Sequence, residues 1–473
     1  MTSGGRDAVT GSVPRTLLVL AVPLVAQNVV RVVQQIVDTV WVGRLGEDAV
    51  AAVGLSVPVV ALAFAVLVTP FVGTQLLVSR RVGADDEAGA RRLVFHGLLL
   101  ACAGGVVVGG TVTVGAERLV SLVGDPAVTP LAATYLATVV LGLPVAGMSD
   151  ALEGGFVGWG DSRASLYVNV ATVLTNVALD PVFIFGVGPV PGMGVRGAAL
   201  ATVAGYVAGF CLAVWLSVGR GRPSLLPSSP SLSAAELREL LAVGLPVTGR
   251  QVVRQTVRVL VVGVVAVTGG AAGLTAYTVG SRVASVAVLP SVGLQQATQS
   301  VVGQNLGAGN RSRAGHATRV GVALAVGALA LLGVVQWAVP ETLAHLFVPG
   351  LSGTGRALTV AYLTILAYGY PAIGAADLLV AGFDGARRTR TSFVVDLLKY
   401  WGVRLPAAAL SLPTAFSVSL LGVTLSPGLG FGMAAIFWAV TGSNVLAAVG
   451  LGVYYRYAVR AGLFSQSAAV PGD

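Results

Sequence analysis

The sequence predicts an all-α membrane protein: twelve transmembrane helices arranged as two pseudo-symmetric six-helix lobes. Three observations carry this. Only 10% of the 473 residues are charged while 55% are hydrophobic, and mean hydropathy is +0.85. A soluble domain carries about 25% charged residues, so this chain cannot cover a water-facing surface of normal size. Apolar runs of about 20 or more residues, the length that crosses a bilayer core, recur along the whole chain. Finally, short motifs recur at one fixed distance.

The predicted spans lie near 16–42, 49–78, 93–115, 127–158, 163–187 and 194–219, and then near 238–268, 271–302, 315–339, 355–383, 391–418 and 429–458. Between the sixes stand Arg220-Gly221-Arg222-Pro223 and Pro227-Ser228-Ser229-Pro230-Ser231, a composition that punctuates rather than spans. The expected organisation is an N-terminal lobe over 1–219 holding a cation site, a cytoplasmic linker over 220–237 and a C-terminal lobe over 238–473. Gly73-Thr74-Gln75 through Gly83 aligns with Ala297-Thr298-Gln299 through Gly307, and Gly158-Trp159 with Gly382-Phe383, each pair 224 residues apart (83 to 307, 158 to 382). Pro23 and Pro246 open the first helix of each half. With six spans per half, both halves begin on one side of the membrane. Such parallel repeats enclose a substrate site between two lobes.

Arginine clusters at 80–81, 91–92, 220–222, 311–313 and 387–390 fall on one side when the spans are threaded in order. The positive-inside rule then puts both termini in the cytoplasm of a multi-pass cell-membrane protein. The net charge of +9 therefore belongs to loops, and no basic soluble domain exists to bind nucleic acid. Cys102 and Cys211 lie in predicted spans and make no disulfide framework. The first apolar run is too long for a cleavable signal peptide. His96, His316 and His345 form no ligand pair at helical spacing, and no phosphate loop or Ser/His/Asp grouping appears. An enzyme is not expected, nor is a cofactor. The strong asymmetry of the halves offers no continuous polar pore for a channel.

Two acids stand out. Asp38 and Asp180 sit inside apolar helices, where a carboxylate costs about 2.5–3.5 kcal/mol to insert. Asn176 is one helical turn before Asp180 on the same face. Threading brings Thr202 and Tyr135 to a similar depth. Two carboxylates, an amide, a hydroxyl and a phenol suit a hard cation and equally a proton. Sodium, if it is the coupling ion, would be held by Asp38, Asn176 and Asp180.

The segment Val37-Asp38-Thr39-Val40-Trp41-Val42-Gly43-Arg44-Leu45-Gly46 with Ala51-Ala52-Val53-Gly54, and the segment Asn176-Val177-Ala178-Leu179-Asp180-Pro181 through Gly194-Val195-Arg196-Gly197-Ala198-Ala199-Leu200-Ala201-Thr202, resemble the strong motifs of the multidrug and toxic compound extrusion (MATE) family. The resemblance covers the whole chain and is nearest to its DinF-like prokaryotic and archaeal branch. It implies the MATE/MOP-type fold and an antiporter that exports small organic compounds as inward Na+ or H+ movement drives it. By residue match, Asp38, Asn176, Asp180 and Thr202 would form the cation or proton site, with Tyr135 assisting. The expected partners are membrane lipid and organic substrates, and the working unit a monomer.

The second half departs from a simple pocket for cationic drugs. Arg250, Arg254 and Arg258 form a stripe at i, i+4 and i+8. Asp180 corresponds at the 224 spacing to Arg404, and Glu153 to Asp377. Asp396 and Lys399, the one lysine of the chain, stand a turn apart. Three readings stay open: an ion-paired network joining Asp377, Asp396 and Glu153 to Arg250, Arg254, Arg404 and Lys399; a basic cavity wall for anionic or amphipathic substrates; or a gate of exchanging ion pairs. The rival function is a flippase for lipid-linked sugars or cell-wall precursors, whose pyrophosphate would suit the arginines.

Overall fold

The computed structural model describes residues 9–121, 128–218, 224–227, 231–347, 353–420 and 423–464. The chain starts with α1 (Val13–Gly43), which carries Pro14 in its first turn and Pro23 inside. Next come α2 (Glu47–Ala65), α3 (Val68–Gly83), α4 (Glu87–Ser121), α5 (Thr129–Leu141), α6 (Leu143–Trp159), α7 (Ser162–Phe185) and α8 (Gly194–Val218). A two-residue hairpin, β1 (Gly186–Val187) with β2 (Val190–Pro191), joins α7 to α8.

The second half holds α9 (Ala234–Ala287), α10 (Leu289–Gly307), α11 (Arg311–Ala338), the short α12 (Pro340–Phe347), α13 (Gly353–Gly385), α14 (Thr389–Leu397), a π-helical stretch (Leu398–Arg404), α15 (Leu405–Ala409), the hairpin β3 (Val418–Leu420) with β4 (Val423–Leu425), and α16 (Gly432–Arg460). Part of the expected linker, 219–223 and 228–230 with Arg220 and Arg222, lies outside the described residues.

Three predicted spans are broken, and proline explains each break. Pro70, Pro144 and Pro290 lie in the first turns of α3, α6 and α10. Each lacks the N–H that would bond the carbonyl four residues back, so the preceding helix ends there. The α5–α6 bend is 45°. In α9, Gly270 adopts φ 54°, ψ −147°, a conformation natural only to glycine, and divides the helix as the sequence predicts. The span expected to run to 418 widens to a π-helix over Leu398–Arg404 and stops helically at Ala409, four residues before Pro413. Among the described residues nine helices are long and apolar enough to cross a membrane, and the bent α5–α6 pair makes a tenth. Counting α9 as two at Gly270 and the broken 389–409 segment as one gives the twelve passages.

Two compact units divide the chain: residues 1–248 with 299–314, and residues 249–298 with 315–473. The first packs Leu76, Leu93, Phe156, Trp159, Val168 and Leu240 into its core. The second stacks Tyr277 on Tyr362 and Tyr362 on Phe437, with centroids 5.6 Å and 4.4 Å apart. Large apolar side chains also face outward, Val114 at 91% exposure among them. Hydrocarbon solvates such a surface.

Within the first unit the repeat motif packs against its own counterpart. A Cβ on Gly83 would stand 1.9 Å from the Gln304 carbonyl oxygen, and one on Gly307 would stand 1.9 Å from the Arg80 carbonyl oxygen. Residues 80 and 304, like 83 and 307, are 224 apart. The two contacts are therefore one contact seen twice about a pseudo-twofold, and glycine at both positions permits the backbones to touch.

Candidate cation site and its polar extension

Two parallel stripes build the site. On α1, Gln27, Arg31, Gln34 and Asp38 recur at three- and four-residue steps. On α7, Ser165, Asn169, Asn176 and Asp180 follow at steps of four, seven and four, the seven being one step of three plus one of four. Steps of three and four keep side chains on one helical face, and the two faces meet rung by rung.

At the first rung Ser165 Oγ donates to Gln27 Oε1 (3.0 Å) or to Glu153 Oε2 (2.8 Å), and Gln27 Nε2 donates to that same Glu153 oxygen (2.8 Å). Next, the Asn169 amide, turned with its oxygen toward the guanidinium, accepts from Arg31 Nε (2.7 Å) and Nη2 (3.1 Å). Arg31 also lies within electrostatic reach of Asp150 and Glu153. At the third rung Gln34 Nε2 donates to Asn176 Oδ1 (2.7 Å).

Asp38 and Asp180 form the top rung, within hydrogen-bond reach of each other. Two carboxylates hold such a contact favourably when a proton lies between them. Asp180 is buried, Asp38 half-buried. Asp180 Oδ2 is sequestered and accepts no hydrogen bond. Among the described residues neither acid has an ion-pair partner. The Asn176 Nδ2 atom lies 3.5 Å from Asp180 Oδ1 and 3.4 Å from Thr202 Oγ1. Turning that amide over places nitrogen 3.0 Å from Asp38 Oδ1 instead, so Asn176 can serve either acid. Thr202 on α8 anchors its hydroxyl to the Ala198 carbonyl (3.1 Å). Tyr135 on α5 lies within electrostatic reach of both acids and packs with Val42, Ile184 and Val195. The five residues singled out from the sequence are thus brought together. Gln27, Gln34, Ser165 and Asn169 were missed, although helical spacing marks them, and Arg31, a conceivable partner for the acids from the sequence, bonds to Asn169 instead.

The second unit has its own buried charges. Arg250 Nη1 donates to Asp384 Oδ2 (2.8 Å) and its Nε lies 3.4 Å from Asp396 Oδ2. Arg254 reaches that Asp396 oxygen with Nε (3.0 Å) and Nη2 (2.7 Å). Arg258 is exposed. Ser291 Oγ donates to Asp377 Oδ2 (3.2 Å). Arg404 finds neutral acceptors rather than an acid: Ser443 Oγ (2.9 Å), Asn444 Oδ1 (2.9 Å) and the Val440 carbonyl (3.2 Å). Asp384, one residue past the predicted end of its span at 383, was not singled out from the sequence; it is fully buried. Glu153, grouped from the sequence with these arginines, bonds instead to Gln27 and Ser165 of the first unit.

Outside the spans, Asp86 joins α3 to α4. Burial pushes its carboxyl up, but the Gly89 N–H (2.8 Å) and the Arg81 guanidinium (2.7 Å) outweigh that and hold it below its ordinary value.

The MatE family pattern matches residues 23–182 and 246–410, beginning each time at a proline, Pro23 or Pro246, that the structure places inside the first helix of a half rather than at its start. A probable multidrug resistance protein, NorM, of Pseudomonas aeruginosa is 30% identical over 94% of this chain and 89% of its own length. The FAD transporter of Shewanella oneidensis is 24% identical over 79% of this chain and 82% of its own. Among solved structures, a MOP superfamily transporter from Pyrococcus furiosus superposes with a TM-score of 0.87 at 23% identity, covering 98% of this chain and 99% of the other. The fold, the two matched halves and the relatives place the chain in the MATE family of multi-pass membrane transporters.

Proposed function

We propose that the protein is a secondary active exporter of organic compounds, driven by inward movement of H+ or Na+ through the Asp38–Asp180 site. The observation that carries this reading is the approach of two acids with no cationic partner among the described residues, in a segment where acids are costly. Such a pair accepts a cation and gives it up again. A proton needs only to lie between the carboxyls. Sodium would use the same oxygens together with Asn176 Oδ1, and would have to displace the Gln34 amide from that oxygen. The relatives named for multidrug resistance support export of organic compounds, and the relative named an FAD transporter supports a range that includes anions.

In this reading binding and release of the cation alter α1 and α7 where they meet, and the two halves alternate access to the two sides of the membrane. The working unit is a monomer in the cell membrane with both termini cytoplasmic, as the arginine distribution supports. The test is dye accumulation in cells expressing the protein. Wild type lowers it; Asp38→Asn and Asp180→Asn, expressed at the same level, leave it where an empty vector does. Wild-type export by either variant refutes the assignment.

A further inference from the structure

The second unit contains a cavity of about 670 Å³ between the Thr389–Arg404 segment and α16. That volume suits a drug-sized ligand. Its walls are aliphatic, with Val395, Leu398, Leu446 and Leu451 among them. Leu398 and Leu446 are exposed, so the cavity is open at the surface of the unit.

Two cations line this apolar space, Arg390 and Lys399, and no carboxylate does among the described residues. Lys399 is buried. Its Nζ lies 5.1 Å from the centre of the Tyr400 ring, and among the described residues no acid forms an ion pair with it; Asp377 and Asp396 act on it only at longer range. The i→i+5 ladder of a π-helix stacks residues five apart, which puts Arg404 beside Lys399, its guanidinium 4.5 Å from the same ring. Arg404 is tied to Ser443, which lines the cavity. A buried cation without a contacting counter-ion is costly, and a π-helical turn at that point is a common mark of a functional site.

We propose that this cavity binds an amphiphilic organic anion, its apolar body against the aliphatic walls and its acidic head on Lys399. As a transported substrate such an anion rests on the export reading above; as a ligand it does not. The test compares 8-anilinonaphthalene-1-sulfonate with its uncharged twin, N-phenyl-1-naphthylamine, in equilibrium binding to the purified full chain, with the detergent blank subtracted. Wild type binds the sulfonate at least about tenfold more tightly, as a charge-assisted contact gives. Lys399→Gln brings the ratio near one, Lys399→Arg keeps the preference, and Ala447→Trp, which fills the cavity, removes binding of both probes. Equal binding of the twins by wild type, or wild-type binding by Lys399→Gln or by Ala447→Trp, overturns the proposal. The assay needs no gradient. Intact anion binding with no gradient-driven export would therefore count against the export reading alone.

Discussion

The crossing of α3 with the end of α10 allows a sharp forecast. In Gly83→Ala the new methyl would lie 1.9 Å from the Gln304 carbonyl oxygen, with the Gln304 carbonyl carbon at 2.5 Å. An ordinary C···O approach is about 3.3 Å, so the backbones must part by roughly 1.4 Å. The obstacle is main chain and no rotamer relieves it. Overpacking of this kind costs about 1–3 kcal/mol, and the upper end applies here. The better helix propensity of alanine returns little at a helix end. For a unit of this size 1 kcal/mol moves the midpoint by roughly 2–4 °C, so thermal unfolding of the purified protein in one fixed detergent should fall by about 6–12 °C. Gly307→Ala should fall equally, since it meets the Arg80 carbonyl oxygen at the same 1.9 Å. The double variant should lose less than the sum, because one separation relieves both clashes. Gly327→Ala on α11, with nothing within 4 Å, should hold its midpoint. An unshifted Gly83→Ala, or an equal fall in Gly327→Ala, would refute the argument.

Breaking the Arg250–Asp384 pair with Asp384→Asn leaves a buried guanidinium with only the longer Asp396 contact, and should cost about 3 kcal/mol, read as a lowered midpoint that Arg250→Lys reproduces in part. Asp161 accepts from the Ala164 N–H at 3.1 Å and caps α7; Asp161→Ala should lose about 1 kcal/mol in the same assay. Since the folded state holds Asp86 below its ordinary value of 3.8, its stabilisation is complete above that value and disappears as pH falls through the lowered one. The midpoint difference between wild type and Asp86→Ala should thus be full at neutral pH and shrink toward zero in strong acid; a gap that widens in acid has the wrong sign.

Apolar run length made the membrane class and most helix ends legible, and the resemblance supplied the family. What run length could not convey was continuity: the runs over 49–78 and 271–302 hide breaks at Pro70 and Pro290, since proline changes hydrogen bonding without changing hydropathy, whereas Pro144 was legible as a place where its helix bends. Asp38 and Asp180 were conspicuous because charge is rare in lipid. Gln27, Gln34, Ser165 and Asn169 were not, because neutral polar residues scatter through helices, and only the matched periodicity of α1 and α7 marks them. Arg404 was read toward an acid; its neutral acceptors on α16 lie about 40 residues along the chain, a separation that no helical spacing reveals.

Uptake of the coupling cation by the Asp38–Asp180 pair is open to direct experiment. Purified protein in liposomes loaded with a fluorescent cationic dye, given a pH gradient or a sodium gradient separately, tests it most directly. One gradient should drive dye movement in wild type, and Asp38→Asn and Asp180→Asn, folded and inserted alike, should lose it while still binding dye. Gradient-driven movement that survives in both variants would contradict that uptake.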